Sequence, residues 1–318
     1  MSAHPLYKSE SEVIHLKTLT TKRQSMRKMN KRRTFKVWLL LFPVVFLLYL
    51  FIWRPSVMGM VWSLFKMKGY TPTEFIGLEN YIRVVSNTEF LPILWNTVQY
   101  VLWSILIGFP LPIIVAFAIN ELVHAKNFFR NTIYLPAIMP GITVMLLWYF
   151  IYSPASTGLL NQILALFGAD PYVWLNDPDW VILYIIIQKT WAGFPASMFF
   201  YYTSIQNIPG DLYEAAIIDG AGFFRRLWNV AIPRMLPIIV LNLVRQIIAV
   251  FQVMQEPMVL TGGGPNNASM SLGYQVYLYG FVQGRVGQAL ALGTITFLIL
   301  IVATLFYFKI EKKTTENL

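Results

Sequence analysis

Asn242, Arg245, Ala249, Gln252 and Glu256 follow one another at intervals of three and four, so on a helix they share one face, with Gln246 and Gln255 beside it. A second apolar stretch carries Tyr184, Gln188, Trp191 and Pro195 at the same spacing, with Lys189 adjoining. A polar group at the centre of a membrane helix costs about 2.5–3.5 kcal/mol unless it faces water or a partner. Amides and a guanidinium offer donors and acceptors to a polar solute, and the faces of Trp191 and Tyr184 can stack on a ring. The chemistry is therefore binding and passage: the stripes line a translocation path or the contact with a second subunit, with plain helix-to-helix bonding as the alternative. Catalysis finds no support. There is no cysteine, His4, His15 and His124 are too scattered for a metal site, and the sequence carries no Walker Lys-Ser/Thr motif and no catalytic constellation.

Depth refines the reading. Lys189 lies about nine residues from the outer end of its stretch and Arg245 about nine from the inner end of its own, so at ~1.5 Å per residue both sit ~13 Å deep, near mid-membrane. Glu256 is expected near the outer rim. Two cations without a carboxylate at their depth bias the path towards an anionic or highly hydroxylated solute.

Between these stretches lies a polar one, 205–237, that reads as an elbow. Pro209 and Gly210 end one helix, Asp211 is placed to cap the next, and Glu214 three residues later closes a capping box. Ala215 and Ala216 leave one face slim. Gly220 and Gly222 allow a tight bend into a second short helix over about 223–232, carrying Phe223, Phe224 and Trp228. Two short helices of this kind suit insertion into a cleft of a partner protein.

The elements that must hold these groups are membrane spans. Of 318 residues, 56% are apolar and 13% charged, more apolar surface than a soluble domain of this size buries. Apolar runs near the ~20 residues a bilayer requires fall at about 37–63, 92–119, 132–152, 180–203, 236–257 and 287–308. The expected fold is all-α, an integral membrane protein of six transmembrane helices flanked by a basic tail over 1–36 and a short tail over 309–318. The apolar run after the tail is too long, and lacks a small-residue cleavage site, for a signal peptide. Six spans put both termini on one side. With that side cytoplasmic, the inner segments hold the ten Lys and Arg of the tail, Lys126, Arg130, Arg225, Arg226, Arg234, Lys309, Lys312 and Lys313, against Lys66, Lys68, Arg83 and Arg285 outside. The net charge of +10 is thus explained by orientation in a membrane, with no nucleic acid required. It also places the elbow in the cytoplasm.

Three outer loops remain. The first holds Gly77-Leu78-Glu79-Asn80-Tyr81; the second has a short surface helix over 159–167 and turns at Asp170-Pro171 and Asn176-Asp177-Pro178. The third, Thr261-Gly262-Gly263-Gly264-Pro265, is glycine-rich, but no Lys-Ser/Thr follows it and no strand precedes it, so it is not a phosphate loop. Tyr274, Tyr277, Tyr279 and Phe281 beyond it form either an interfacial aromatic belt or a surface for an outer partner.

Glu214-Ala215-Ala216, three residues, Gly220, then Val230, Ile232 and Pro233 resemble the Glu-Ala-Ala loop of permease subunits of binding-protein-dependent, type I ABC importers. Asp219 and Ala221 fit the Asp-Gly-Ala form of that motif. The Gly-Leu-x-Asn-Tyr segment and the Thr-Gly-Gly-Gly-Pro turn are similar to those of the carbohydrate-uptake branch, in particular the permeases for complex or pectin-type oligosaccharides. The resemblance implies a type I importer permease fold with a cytoplasmic coupling helix. Glu214, Ala215, Ala216, Asp219, Gly220 and Ala221 would couple to an ATPase dimer that holds ATP and Mg, no cofactor residing in this chain. It implies a second permease subunit in a heterodimer and an extracytoplasmic sugar-binding protein. Tyr184, Gln188, Lys189, Trp191, Asn242, Arg245, Gln246 and Gln252 are the candidates for the substrate path. A permease for a non-sugar solute of the same importer class is the alternative. A secondary transporter would want intramembrane carboxylates and internal repeats, and a channel would have no use for the elbow.

Overall fold

The computed structural model describes residues 34, 36–122, 124 and 126–315. The basic tail expected over 1–36 lies outside them except for Thr34 and Lys36. The chain forms two compact units that meet in sequence at Val61, and the amino-terminal unit is the first span, α1 (Lys36–Trp62), which continues to the first residue of the larger unit. The larger unit begins with a two-stranded hairpin, β1 (Phe65–Lys68) and β2 (Thr71–Phe75), and is otherwise helical. Its helices are α2 (Glu79–Val85), α3 (Phe90–Glu121), α4 (Lys126–Ile138), α5 (Gly141–Ile151), α6 (Leu159–Leu166), α7 (Val181–Gln206), α8 (Gly210–Ile218), α9 (Phe223–Phe251), α10 (Gln255–Leu260), α11 (Leu272–Tyr277, continued by a π turn over Leu278–Val282) and α12 (Val286–Thr315).

Among the described residues four helices are long and apolar enough to cross a bilayer: α1, α3, α9 and Val286–Leu305 of α12. The pair α4 and α5 becomes a fifth span if taken together, but it is bent by 96° at Met139-Pro140, where the sequence predicts one run over 132–152. Pro140 caps α5 in extended backbone, which a continuing helix cannot accommodate. The 26-residue α7 is long enough, but Gln188 and Lys189 with their polar neighbours lower its hydropathy. α12 continues through Lys309, Lys312 and Lys313 to Thr315, so the start of the expected tail is helical.

Three π turns interrupt the long helices, at Tyr49–Trp53, Ser104–Gly108 and Leu227–Ala231, and each sits just before a proline: Pro55, Pro110 and Pro233. A proline lacks the amide hydrogen for the i−4 carbonyl and its ring clashes with that carbonyl. Here the i−4 residues, Phe51, Leu106 and Asn229, lie at the middle of each widened turn, which lets the helix pass the proline without ending.

The hairpin is an addition to the expected all-α fold. Phe65 and Phe75 pair across it with ring centroids 5.4 Å apart, and Gly69 turns it at φ +58°. The Gly77 to Tyr81 segment, expected in a loop, starts α2 and anchors the hairpin. Asn80 is buried and donates to the carbonyls of Ser63 and Phe65 at 2.8 and 2.9 Å, while Tyr81 and Ser63 share a hydroxyl bond of 2.6 Å. The third outer loop is fastened to α3: Asn96 donates to the carbonyl of Asn267 at 2.8 Å and Tyr100 to that of Ser269 at 2.9 Å. In the second, Asn161 on α6 is buried beneath the carbonyls of Ser153, Pro154 and Ala155 and accepts from the Trp174 indole at 2.8 Å. Tyr274 and Tyr279 are core residues, whereas Phe281 is 69% exposed at the end of a stack through Tyr277.

Candidate functional site

Two places among the described residues hold the expected site groups. At one end lies the elbow. Its first helix, α8, begins at Gly210 with Pro209 as N-cap, and no side chain caps it. The expected capping box is therefore not made: Asp211 lies inside the first turn, where its charge favours the helix dipole, and Glu214 is exposed. The other end follows the sequence closely. Gly220 adopts φ +72°, its amide donates to Ile217 at 2.9 Å and that of Ala221 to Ala216 at 2.9 Å, the paired bonds of a Schellman cap. Gly222 is extended backbone, a conformation open to any residue. The second short helix is not separate, because Phe223 opens α9 and the chain continues to Phe251. Glu214, Ala215, Asp219 and Gly220 are exposed with Ile217 and Ile218, Ala216 is half-buried, and Ala221 is buried.

Beneath the elbow, Phe117 of α3 is fully buried and receives the rings of Tyr213 and Phe223 at 6.4 and 4.9 Å. Arg226 pairs with Glu121 and donates through Nη1 to the Ala221 carbonyl at 2.7 Å. Burial pushes the Tyr213 hydroxyl up to about 12, with the Glu121 charge adding to the rise and Arg226 opposing it, so Tyr213 is neutral near pH 7.

The second place is a cavity of about 430 Å³ between α3, α7 and α9. Of the residues expected on the path, Lys189, Asn242, Arg245 and Gln246 line this cavity, joined by Ser104, Gly108, Thr190, Ser197 and Phe200. Glu256, expected near the outer rim and apart from both cations, lines it too. The helix expected to 257 stops at Phe251, Gln252 closes it, and α10 starts a new direction that brings Glu256 onto Lys189 as an ion pair. Lys189 is therefore no free cation. Arg245 makes no ion pair among the described residues; its guanidinium lies 5.8 Å above the Phe200 ring. Gln246 donates to the Ser104 carbonyl at 2.9 Å and its hydroxyl at 2.7 Å, and Asn242 back-bonds to Ile238 at 3.0 Å.

Four expected residues are elsewhere. Tyr184 stacks among Tyr152, Tyr172 and Trp174, Trp191 meets Trp148 at 5.8 Å, Gln188 is 2% exposed in the core, and Gln252 is exposed beyond the end of α9. The stripe read on α7 is the face that packs on α5 and the second outer loop. The cavity face is the neighbouring one, Lys189, Gly193, Ser197 and Phe200, whose small residues give space rather than hydrogen bonds. Ser104 and Gly108 carried no polar periodicity to reveal them. Gly108 is required by close approach: a Cβ there would lie 2.9 Å from Thr190 Oγ1 and 3.0 Å from Gln246 Nε2.

Apolar helices around a charged cavity, with an elbow tied to two of the cavity's walls, are what a membrane permease requires. The chain belongs to the family described as binding-protein-dependent transport system inner membrane components, which matches residues 108–316. It is 34% identical over 286 residues to the probable ABC transporter permease protein YurN of Bacillus subtilis (strain 168), covering 88% of this chain and 97% of that one. It is 32% identical over 277 residues to the trehalose/maltose transport system permease protein MalF of Thermococcus litoralis, covering 86% and 93%. The fold is that of a bacterial ABC transporter involved in the import of the acidic polysaccharide alginate, at TM-score 0.79 and 24% identity over 91% of this chain and 99% of the other. The protein is thus a multi-pass membrane permease subunit with the type I importer fold, a transport component and not an enzyme.

Proposed function

We propose that this chain is one of two permease subunits of an ATP-driven importer for oligosaccharides, with both termini and the elbow in the cytoplasm and six spans around half of the path. The observation that carries the reading is the tie between elbow and cavity: α3 and α9 line the cavity and are bound together under α8 by Arg226 and Glu121. In this reading α8 docks into a cleft of an ATPase dimer that binds ATP and Mg, with Glu214, Ala215, Ala216, Asp219, Gly220 and Ala221 at or beside the contact. A sugar-binding protein delivers solute from outside, and a second permease completes the path. The carbohydrate assignment draws support from relatives such as the trehalose/maltose permease and from a cavity whose net side-chain charge is one guanidinium. Glu256 in the cavity is the one feature an ion-coupled carrier would share, but its partner Lys189 leaves no free carboxylate there. Reconstitution with an ATPase, a partner permease and a binding protein tests the whole: uptake of a labelled oligosaccharide that stops when the ATPase is inactivated is the expected result, and uptake independent of ATP overturns the reading.

Orientation has its own test. The chain contains no cysteine, and Asn266 and Arg225 are both accessible, so single cysteines at these positions report on sidedness. An impermeant thiol reagent added to intact cells is expected to label Asn266→Cys and spare Arg225→Cys by roughly tenfold or more; the reverse pattern inverts the topology.

A further inference from the structure

Two of the helices that line the cavity, α3 and α9, are joined at two points among the described residues. Near the middle, Gln246 of α9 donates to the backbone and hydroxyl of Ser104 on α3. At the elbow end, Arg226 of α9 pairs with Glu121 of α3, and both side chains are mostly buried, 16% and 23% exposed. The same guanidinium holds the elbow's turn through the Ala221 carbonyl. One side chain therefore ties together α8, α9 and the end of α3.

Two atoms of this junction are left over. The Nε hydrogen of Arg226 and the hydroxyl of Tyr213 are both buried without a hydrogen-bond partner, although one is a donor and the other can accept. Tyr213 rests on Phe117, one turn before Glu121, and Phe117 also carries the ring of Phe223, one turn before Arg226. Buried polar groups are almost always paired, and each exception costs free energy that a small rearrangement can recover. The Glu121 and Arg226 charges both act on the Tyr213 hydroxyl, so the pair is the nearby partner that a slide of α8 along Phe117 would offer it. The junction has the ingredients of two positions: the present one, and one in which Tyr213 has joined the pair.

We infer that Glu121, Arg226 and Tyr213 are positioning residues of a two-position latch, through which displacement of α8 is passed to the cavity wall. The inference rests on the proposed docking of α8 to an ATPase. An aromatic bearing alone would let α8 slip over Phe117 without moving α3. An ion pair with a hydroxyl that engages at one end of the stroke makes the movement of the three helices a common one.

The test uses the complete importer in nanodiscs with Gly193→Cys as reporter, since Gly193 lines the cavity and a Cβ there meets nothing within 4 Å. Its labelling rate by a charged methanethiosulfonate is measured with and without MgATP plus vanadate. In the parent the rate is expected to change at least threefold. With Glu121→Gln the change shrinks below 1.5-fold while the ATPase still co-purifies, and Glu121→Arg combined with Arg226→Glu restores part of it, which a loss of mere packing would not allow. Tyr213→Phe keeps the ring on Phe117 and removes only the hydroxyl; it is expected to at least halve the change, and it decides the matter if Glu121→Gln does not assemble. A parent-like change in both Glu121→Gln and Tyr213→Phe overturns the latch, as does a parent-like change in Tyr213→Phe when it is the only variant that assembles. A parent that binds the ATPase yet shows no nucleotide-dependent change overturns the coupling role of α8 itself, a separate and distinguishable failure.

Discussion

Gly220→Val is expected to lower coupled uptake at least tenfold while the chain still inserts and the complex still purifies. Gly220 sits at φ +72°, and a left-handed backbone costs a side chain about 1–2 kcal/mol, more for a β-branched one. Open space surrounds its Cβ position, so the penalty is conformational and not a clash. Relieving it unmakes the Schellman cap and re-aims α8 relative to Phe223, the residue from which α9 departs. Asparagine tolerates the left-handed region, so Gly220→Asn is expected to retain most uptake. The pair of variants separates backbone geometry from any need for a bare surface at this point. Measured as ATP-dependent uptake of labelled trisaccharide into proteoliposomes, equal loss in both would move the explanation from the turn to the docking surface. Undiminished uptake in Gly220→Val would remove the elbow's assigned role. Glu214→Lys is expected to act differently: it reverses an exposed charge with no capping bond to lose, so its defect should weaken with added salt.

The contrast between the two ends of α8 shows how far local sequence can be read. Gly220 is legible because a left-handed turn leaves few alternatives to glycine. The capping box is not, because motif spacing assigns Asp211 and Glu214 to it while Pro209, already fixed in φ, takes the N-cap position itself. The spans are legible as apolar runs, but their interruptions are not. Prolines 55, 110 and 233 fall inside helices that survive by widening into π turns, and no property of the flanking residues distinguishes that from a break.

Glu256 shows the opposite error. Counting apolar length carries α9 past its end, although Pro257 gives a signal of a new helix, since proline is accommodated in a first turn where its missing amide hydrogen is not needed. Once the chain breaks at Gln252, the carboxylate enters the cavity and cancels the Lys189 charge. On α7, periodicity identifies a real stripe and gives it the wrong partner. Tyr184, Gln188 and Trp191 are large groups that pack, whereas the lining is Gly193, Ala196 and Ser197, residues that reveal themselves by what they leave empty. Sequence reading finds polar groups more readily than space.

These corrections narrow the case for an acidic solute to one residue. With Lys189 neutralised by Glu256, Arg245 is the cavity's net charge, and its planar fork can hold a carboxylate through two parallel bonds. A hydrogen bond to a charged group is worth about 1.5–3 kcal/mol, which is roughly 10- to 100-fold in binding. Arg245→Gln is therefore expected to cut uptake of trigalacturonate by at least tenfold and that of maltotriose by no more than about threefold, the neutral sugar losing only a hydroxyl contact. Arg245→Lys keeps the charge but not the fork and should fall between. Glu256→Gln supplies the opposite sign, because it releases the Lys189 ammonium into the same cavity and should raise the ratio of acidic to neutral uptake. A structural role for Arg245, holding a partner permease through an acidic residue of that subunit, predicts instead that Arg245→Gln loses both sugars together with co-purification of the partner. Equal loss of the two sugars in an intact complex, or no loss of either, would take Arg245 out of solute recognition and leave the Phe200 ring, 5.8 Å beneath it, as the guanidinium's partner.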